Sequence, residues 1–167
     1  MEFTVRSDSF KDGDYLTKDH ILSADYGFGC EGGNKSPHLA WSGAPTGTKS
    51  FAVTCFDPDA PTGSGFWHWA VYNIPASVTS LAADAGNPDA GLLPPGAVTL
   101  PNEARMDRFV GAAPPPGHGE HRYYFTVTAL DVPTLELDPG STPAVLGFNL
   151  LGHIVGRAQL TGVTETP

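Results

Sequence analysis

The residues best suited to chemistry fall in two places. The first is the turn Asp57-Pro58-Asp59-Ala60-Pro61, with His68 a few residues on. The second is the run from Gly111 to Tyr123. It holds Ala113, Pro114, Pro115, His118, His121, Arg122 and Tyr123. Histidine, the tyrosine hydroxyl and free backbone N–H groups are donors that suit a small phosphate or carboxylate. A carboxylate orients an imidazole and raises its pKa. The grouping therefore reads as an anion cup with its own carboxylate support. In this reading His68 and His121 donate to the anion, Asp57 orients one of them, and Tyr123 lines the cup. Asp59 and Arg122 are support, since an Arg fork pairs well with a carboxylate. His118 is a further support candidate, with plain solvation as its alternative.

Other chemistries fit less well. His118 and His121 are three residues apart, and Asp57, Asp59 or His68 could add metal ligands. No third strong ligand is tied to them by spacing, however, so neither a metal nor another cofactor is expected. A hydrolase would need a nucleophile, and no Gly-x-Ser-x-Gly elbow or Cys–His pairing stands in the chain. A metal-independent hydrolase using a carboxylate–His base to activate water stays open as an alternative. The blandest reading of 57–61 is a hairpin connection with turn-forming Asp residues. His20 and His38 read as surface or loop histidines, and His153 as a helical one.

The elements that must position these groups read mainly as strands. Phe3 and Val5 alternate with polar neighbours, and 38–41 forms a second short strand. Residues 50–56 alternate cleanly, with Phe51, Val53 and Cys55 on one face and Asp57 continuing it. Residues 68–74 put His68, Ala70 and Tyr72 on one face and Trp69, Val71 and Asn73 on the other. The strongest strand is 121–130, where His121, Tyr123, Phe125 and Val127 share a face. Residues 24–38 are a Gly-rich loop. The stretch 75–120 is mostly connection, with short strands near 97–100 and 108–110. A connection that long is usually functional. Thr142-Pro143 reads as an N-cap and first helical residue. The Leu146, Leu150, Ile154 stripe carries that helix to about Arg157. Residues 159–163 form a last edge strand.

The 167 residues suit one domain spanning 1–167. The net charge of −9 disfavours nucleic acid and anionic membranes, both of which call for a basic footprint. No run approaches the roughly 20 apolar residues of a membrane span. The N-terminus lacks the basic start and apolar core of a signal peptide, so a cytoplasmic location is expected. The two cysteines are too few for a disulfide framework, and Cys55 reads as a buried free thiol.

Four stretches resemble the phosphatidylethanolamine-binding, or Raf-kinase-inhibitor-like, family. They are Asn34 to Trp41; Asp57 to Pro61 with His68, Trp69 and Asn73; Gly111 to Pro115 with Gly117 and His121-Arg122-Tyr123; and Leu146 to His153, which is similar to the bacterial branch. The resemblance implies a Greek-key-like β-sandwich with a large central sheet, a few short helices and one C-terminal helix. It implies a pocket for a phosphate or phospholipid head group, formed by Asp57, His68, His121 and Tyr123 with Ala113, Pro114 and Pro115 at the rim. It implies a cis peptide at Ala60–Pro61, a regulatory role with a protease or kinase as protein partner, and, for some bacterial members, a homodimer. A binding module is favoured over an enzyme, and an inhibitor acting by protein docking is the alternative. Ala112-Ala113 departs from the Gly-Pro and Cys or Gly of many members. The C-terminal helix that covers the pocket in animal members has no counterpart before Pro167.

Overall fold

A computed structural model describes residues 1–167. Eight strands and one α-helix follow in chain order: β1 Thr4–Arg6, β2 Leu39–Ser42, β3 Ser50–Asp57, β4 Phe66–Pro75, β5 Ser80–Leu81, β6 Val98–Thr99, β7 His121–Leu130, α1 Pro143–Leu150 and β8 Ile154–Thr164. Short 3₁₀ turns lie at Lys18–His20, Ala24–Tyr26 and Pro88–Ala90. The strands form two antiparallel sheets. One is three-stranded in the order β1-β2-β5, and the other five-stranded in the order β6-β4-β3-β7-β8. The expected mainly β sandwich with one C-terminal helix is what forms. β3 and β4 make a hairpin, while β7 returns through the long connection 76–120 to lie on the other side of β3.

The alternation read in the sequence puts apolar side chains on both faces of the large sheet. Phe51, Val53 and Cys55 of β3, Trp69 and Val71 of β4, and Phe125 and Val127 of β7 join Leu39 and Trp41 of β2 in the core between the sheets. Ala52, Ala70 and Tyr72 point the other way, onto Leu146 and Leu150 of α1. Burying a Leu, Phe or Trp side chain stabilises by about 1.5–3 kcal/mol. That is why these two layers hold a chain so rich in glycine and proline.

Period-two alternation fails twice on β4. Cys55 pairs with Trp69, but the next residue, Phe56, pairs with Trp67, which leaves His68 as an extra residue. Phe51 pairs with Ile74 and Val53 with Val71, so β4 gains another residue around Asn73, whose φ is 59°. These are β-bulges, which re-aim a side chain. His68 is therefore turned off the Ala70 and Tyr72 face that strict alternation gives it. It lies with its ring 5.3 Å from that of Tyr123.

Three further expectations change. The helix ends at Leu150 rather than near Arg157. Gly152 turns the chain at φ 84°, and Ile154 and Val155 begin β8 beside β7. β-Branched residues fit a paired strand better than a helix end. Residues 108–110 form no strand. No peptide bond is cis, Ala60–Pro61 included.

Candidate functional site

Asp57 ends β3 on its core face, because three preceding alternations carry Phe51, Val53 and Cys55 there. It is 3% exposed and His121 is 1% exposed. Asp57 Oδ1 accepts the Asp59 N–H at 2.7 Å, a turn that Pro58 stiffens. Asp57 Oδ2 accepts from His121 Nδ1 at 2.7 Å. The carboxylate acceptor requires the proton on that nitrogen. The other ring nitrogen of His121, Nε2, lies 2.6 Å from Nδ1 of the exposed His118. Both nitrogens of His121 are thus engaged within the protein, which revises its expected role as a donor to a ligand. Asp57, His121 and His118 bond one another in a row and do not converge on a point. No group of three or more His, Cys, Asp or Glu residues is placed to hold a metal.

His68 approaches from the β4 bulge. Its Nδ1 donates to the Val110 carbonyl at 2.8 Å. Burial lowers its pKa below the ordinary histidine value, while the Val110 carbonyl and Asp57 act in the opposite sense. His68 is therefore neutral near pH 7, with Nε2 as a lone-pair acceptor. Tyr123 is 1% exposed, and its hydroxyl has no hydrogen-bond partner. Burial, and then the charge of Asp57, push its phenol well up, with the Ala113 N–H beside it pulling the other way.

These groups form the floor of a cavity of about 450 Å³. Leu22, Tyr26, Phe28, Pro61, Phe66 and Val110 make its walls. Phe28 is 70% exposed at the mouth. Neither Lys nor Arg lines the cavity.

Asp57, His68, His121, Tyr123, Ala113 and Pro115 all line this space. Pro114 is buried outside it, and His118 stands behind His121. Asp59 and Arg122 lie off the cavity as a support pair. Arg122 donates to Asp59 from its backbone N–H at 2.8 Å, from Nε at 3.0 Å and from Nη2 at 2.8 Å. Those Arg122 hydrogen bonds hold the Asp59 carboxyl down at about 2. His20 departs from expectation, being 3% exposed with Nδ1 on the Lys35 carbonyl at 2.7 Å. His38 Nδ1 accepts the Asp8 N–H. His153 sits in the turn after α1, 3.0 Å from Asp131.

Two positioning residues escaped the sequence reading. Asn102 is fully buried; its Nδ2 donates to the carbonyls of Arg108 and His68, and its Oδ1 accepts from Ala104 and Met106. Asn34 holds the Gly111 N–H on its Oδ1 at 2.7 Å. Together they fix the 102–111 segment whose Val110 carbonyl sets the His68 tautomer. For Asn102 the only local signal was a polar residue after a proline in a long connection, whereas Asn34 heads the family-like stretch Asn34 to Trp41 without its role being readable there.

Residues 6–165 match the family model described as phosphatidylethanolamine-binding protein. The chain belongs to the phosphatidylethanolamine-binding protein family. It is 51% identical to UPF0098 protein YbcL of Escherichia coli, over 98% of this chain and 87% of that protein. It is 45% identical to UPF0098 protein YbhB of the same organism, over 94% of this chain and 96% of that one. The crystal structure of E. coli YbcL, described as a new member of the mammalian family, superposes with a TM-score of 0.94 at 50% identity, covering 100% of both chains. Within the family fold, the stretch Asp57–Pro61 and the stretch Gly111–Tyr123 meet here at one cavity floor, although some fifty residues separate them in the chain.

Proposed function

We propose that the protein is a binding module for a small phosphate-bearing anion, held on the polar floor of an otherwise apolar cavity. The Tyr123 hydroxyl carries this reading. Buried polar groups nearly always have partners, and this one, on a residue that lines the cavity, has none in the free protein. The Ala113 N–H, which approaches the Tyr123 oxygen in the free protein, supplies a second donor when it turns to the ligand. The apolar walls lower the local dielectric and strengthen both bonds. Two hydrogen bonds of about 2 kcal/mol each give a Kd on the order of a millimolar. A hydrolytic role is less well supported. The carboxylate-oriented imidazole at the cavity, His121, has its outer nitrogen bonded to His118 and holds no free base toward the cavity.

Titration calorimetry with inorganic phosphate tests the proposal. Saturable heat in the micromolar to low millimolar range is expected, and Tyr123→Phe weakens it about tenfold, the worth of one such bond. Absence of binding, or equal affinity in the Tyr123→Phe protein, removes the proposal. Affinity rises only as the pH falls through the folded pKa of His68, which burial sets below the ordinary histidine value, because a His68 that gains a proton turns from acceptor to donor.

A further inference from the structure

We infer that a second cleft, built from the two long connections, binds a small amino acid through its carboxylate and its ammonium together; this site is separate from the anion cup and does not depend on it. The cleft encloses about 420 Å³, within the range of small-molecule sites. Residues 23–35 form one side and residues 84–108 the other. Connections of such length are usually functional, and the cup uses only part of each. Four charged side chains line the cleft: Lys35, Arg108, Asp25 and Asp84. Their charges sum to zero, in a chain whose net charge is −9. None of the four lies within 4.0 Å of an opposite charge, although Arg6 and Arg122 each have an Asp partner. Cations and anions that face one space without pairing complement a ligand that carries both signs.

Arg108 is half-buried. Its Nε donates to the Phe109 carbonyl at 3.0 Å, and its four Nη hydrogens have no acceptor in the protein. That planar fork matches a carboxylate. Asn34 is 7% exposed, with its Oδ1 committed to the Gly111 N–H and its Nδ2 without a hydrogen bond in the protein. It lines the cleft and supplies a further donor to the carboxylate. On the anionic side, Asp84 holds φ at 70°, a left-handed conformation that few residues other than Gly, Asn and Asp enter. The fully buried Ser36 fixes the turn that presents it: the Ser36 carbonyl accepts the Asp84 N–H, and its Oγ accepts the Gly86 N–H at 2.8 Å. Asn34 is left-handed too, at φ 55°. Residues held in such conformations cluster at binding sites. Asp84 and Asp25 accept the ligand's ammonium. Tyr26 and Met106 are the hydrophobic members of the lining, so the amino acid's own side chain is small or polar.

The test is amide NMR of the full chain titrated with L-serine, L-asparagine, acetate and ethylamine at about pH 7, where an amino acid is zwitterionic. Acetate carries only the carboxylate and ethylamine only the ammonium. Saturable shifts confined to 23–35 and 84–108 are expected with either amino acid, at a Kd at least about tenfold below those of acetate and ethylamine, one charge-assisted hydrogen bond apart. Arg108→Met and Asp84→Asn each raise that Kd about tenfold. Asn tolerates the left-handed φ at position 84, so Asp84→Asn keeps the fold, and its phosphate titration matches the wild type. Should either variant fail to fold, the four-ligand panel on the wild type decides. Acetate or ethylamine binding as tightly as the amino acids overturns the inference. So do shifts that fall outside the cleft, no saturable shift with either amino acid, or full affinity in either folded variant.

Discussion

Tyr123 carries opposite demands. Its ring packs against His68 and fills the core, yet its hydroxyl is buried without a partner. An unsatisfied buried hydroxyl costs about 1–3 kcal/mol. Tyr123→Phe keeps the ring and removes that cost. Urea denaturation should therefore give an equal or higher midpoint for the variant whose phosphate affinity falls. A loss of stability would mean that the hydroxyl is satisfied in the free protein. His68 gives a second residue-level prediction. Burial lowers its folded pKa, so an unfolded chain, titrating near 6.5, binds the proton that the folded chain refuses. Stability then rises with pH wherever the unfolded state holds more protons. The His68 contribution is complete above about pH 6.5 and is lost as the pH drops through the lower folded value. Midpoints measured from pH 7.5 to 5 should decline in the wild type and decline less in His68→Gln. Asp59 acts in a separate window. Its contribution is present above the ordinary carboxyl value of 3.8 and disappears as the pH falls toward about 2.

At the scale of elements, the two bulges on β4 decide what can be reached. Asn73 adopts φ 59°, and its side chain exchanges two hydrogen bonds with the Leu135 backbone, at 3.1 and 2.8 Å, tying the 131–142 connection to the sheet. Asn73→Gly keeps the backbone conformation and loses both bonds. Asn73→Ala loses the same bonds and adds about 1–2 kcal/mol of left-handed strain. Thermal unfolding should rank wild type above Gly and Gly above Ala, and the reverse order of the two variants would remove the strain argument. The bulges also mark where the sequence stopped being readable. Alternation in 50–57 and 121–130 was legible because each strand buries one face against the core. The Asp57, His121 and Tyr123 faces follow directly from it. The face of His68 was not legible, because a bulge arises from how β4 pairs with β3 and leaves no local trace in composition. The boundary between α1 and β8 was hidden for a similar reason. Leu146, Leu150 and Ile154 satisfy a helical period, but pairing of 154–164 with β7 outweighs it. The walls from Leu22, Tyr26 and Phe28 come from a Gly-rich loop without any period, so they were invisible too.

For the whole molecule, the net charge of −9 opposes the arrival of an anion. Salt shortens the range of that repulsion, to about 8 Å at physiological strength. The association rate of phosphate, followed by stopped-flow, should therefore rise between about 20 and 150 mM sodium chloride, the opposite of what a basic site shows. A rate that falls with added salt would place a positive field at the mouth. The cup also depends on chain segments far apart: 22–28, the β3–β4 hairpin, 102–115 and β7. Asp57 and His121 are 64 residues apart, and His68 and Val110 are 42 apart. Contacts of such separation form late, since loop closure precedes any return from them. Asp57, His68, Ala113 and Tyr123 come together only when β3, β4, β7 and the 76–120 connection are all in place. During refolding from urea, phosphate-binding capacity should recover with the same time constant as burial of Trp69, which lies 0% exposed at the centre of the core. The site and the fold then share one kinetic fate: a partly folded chain is an inactive chain, and the last loop to dock sets when binding begins.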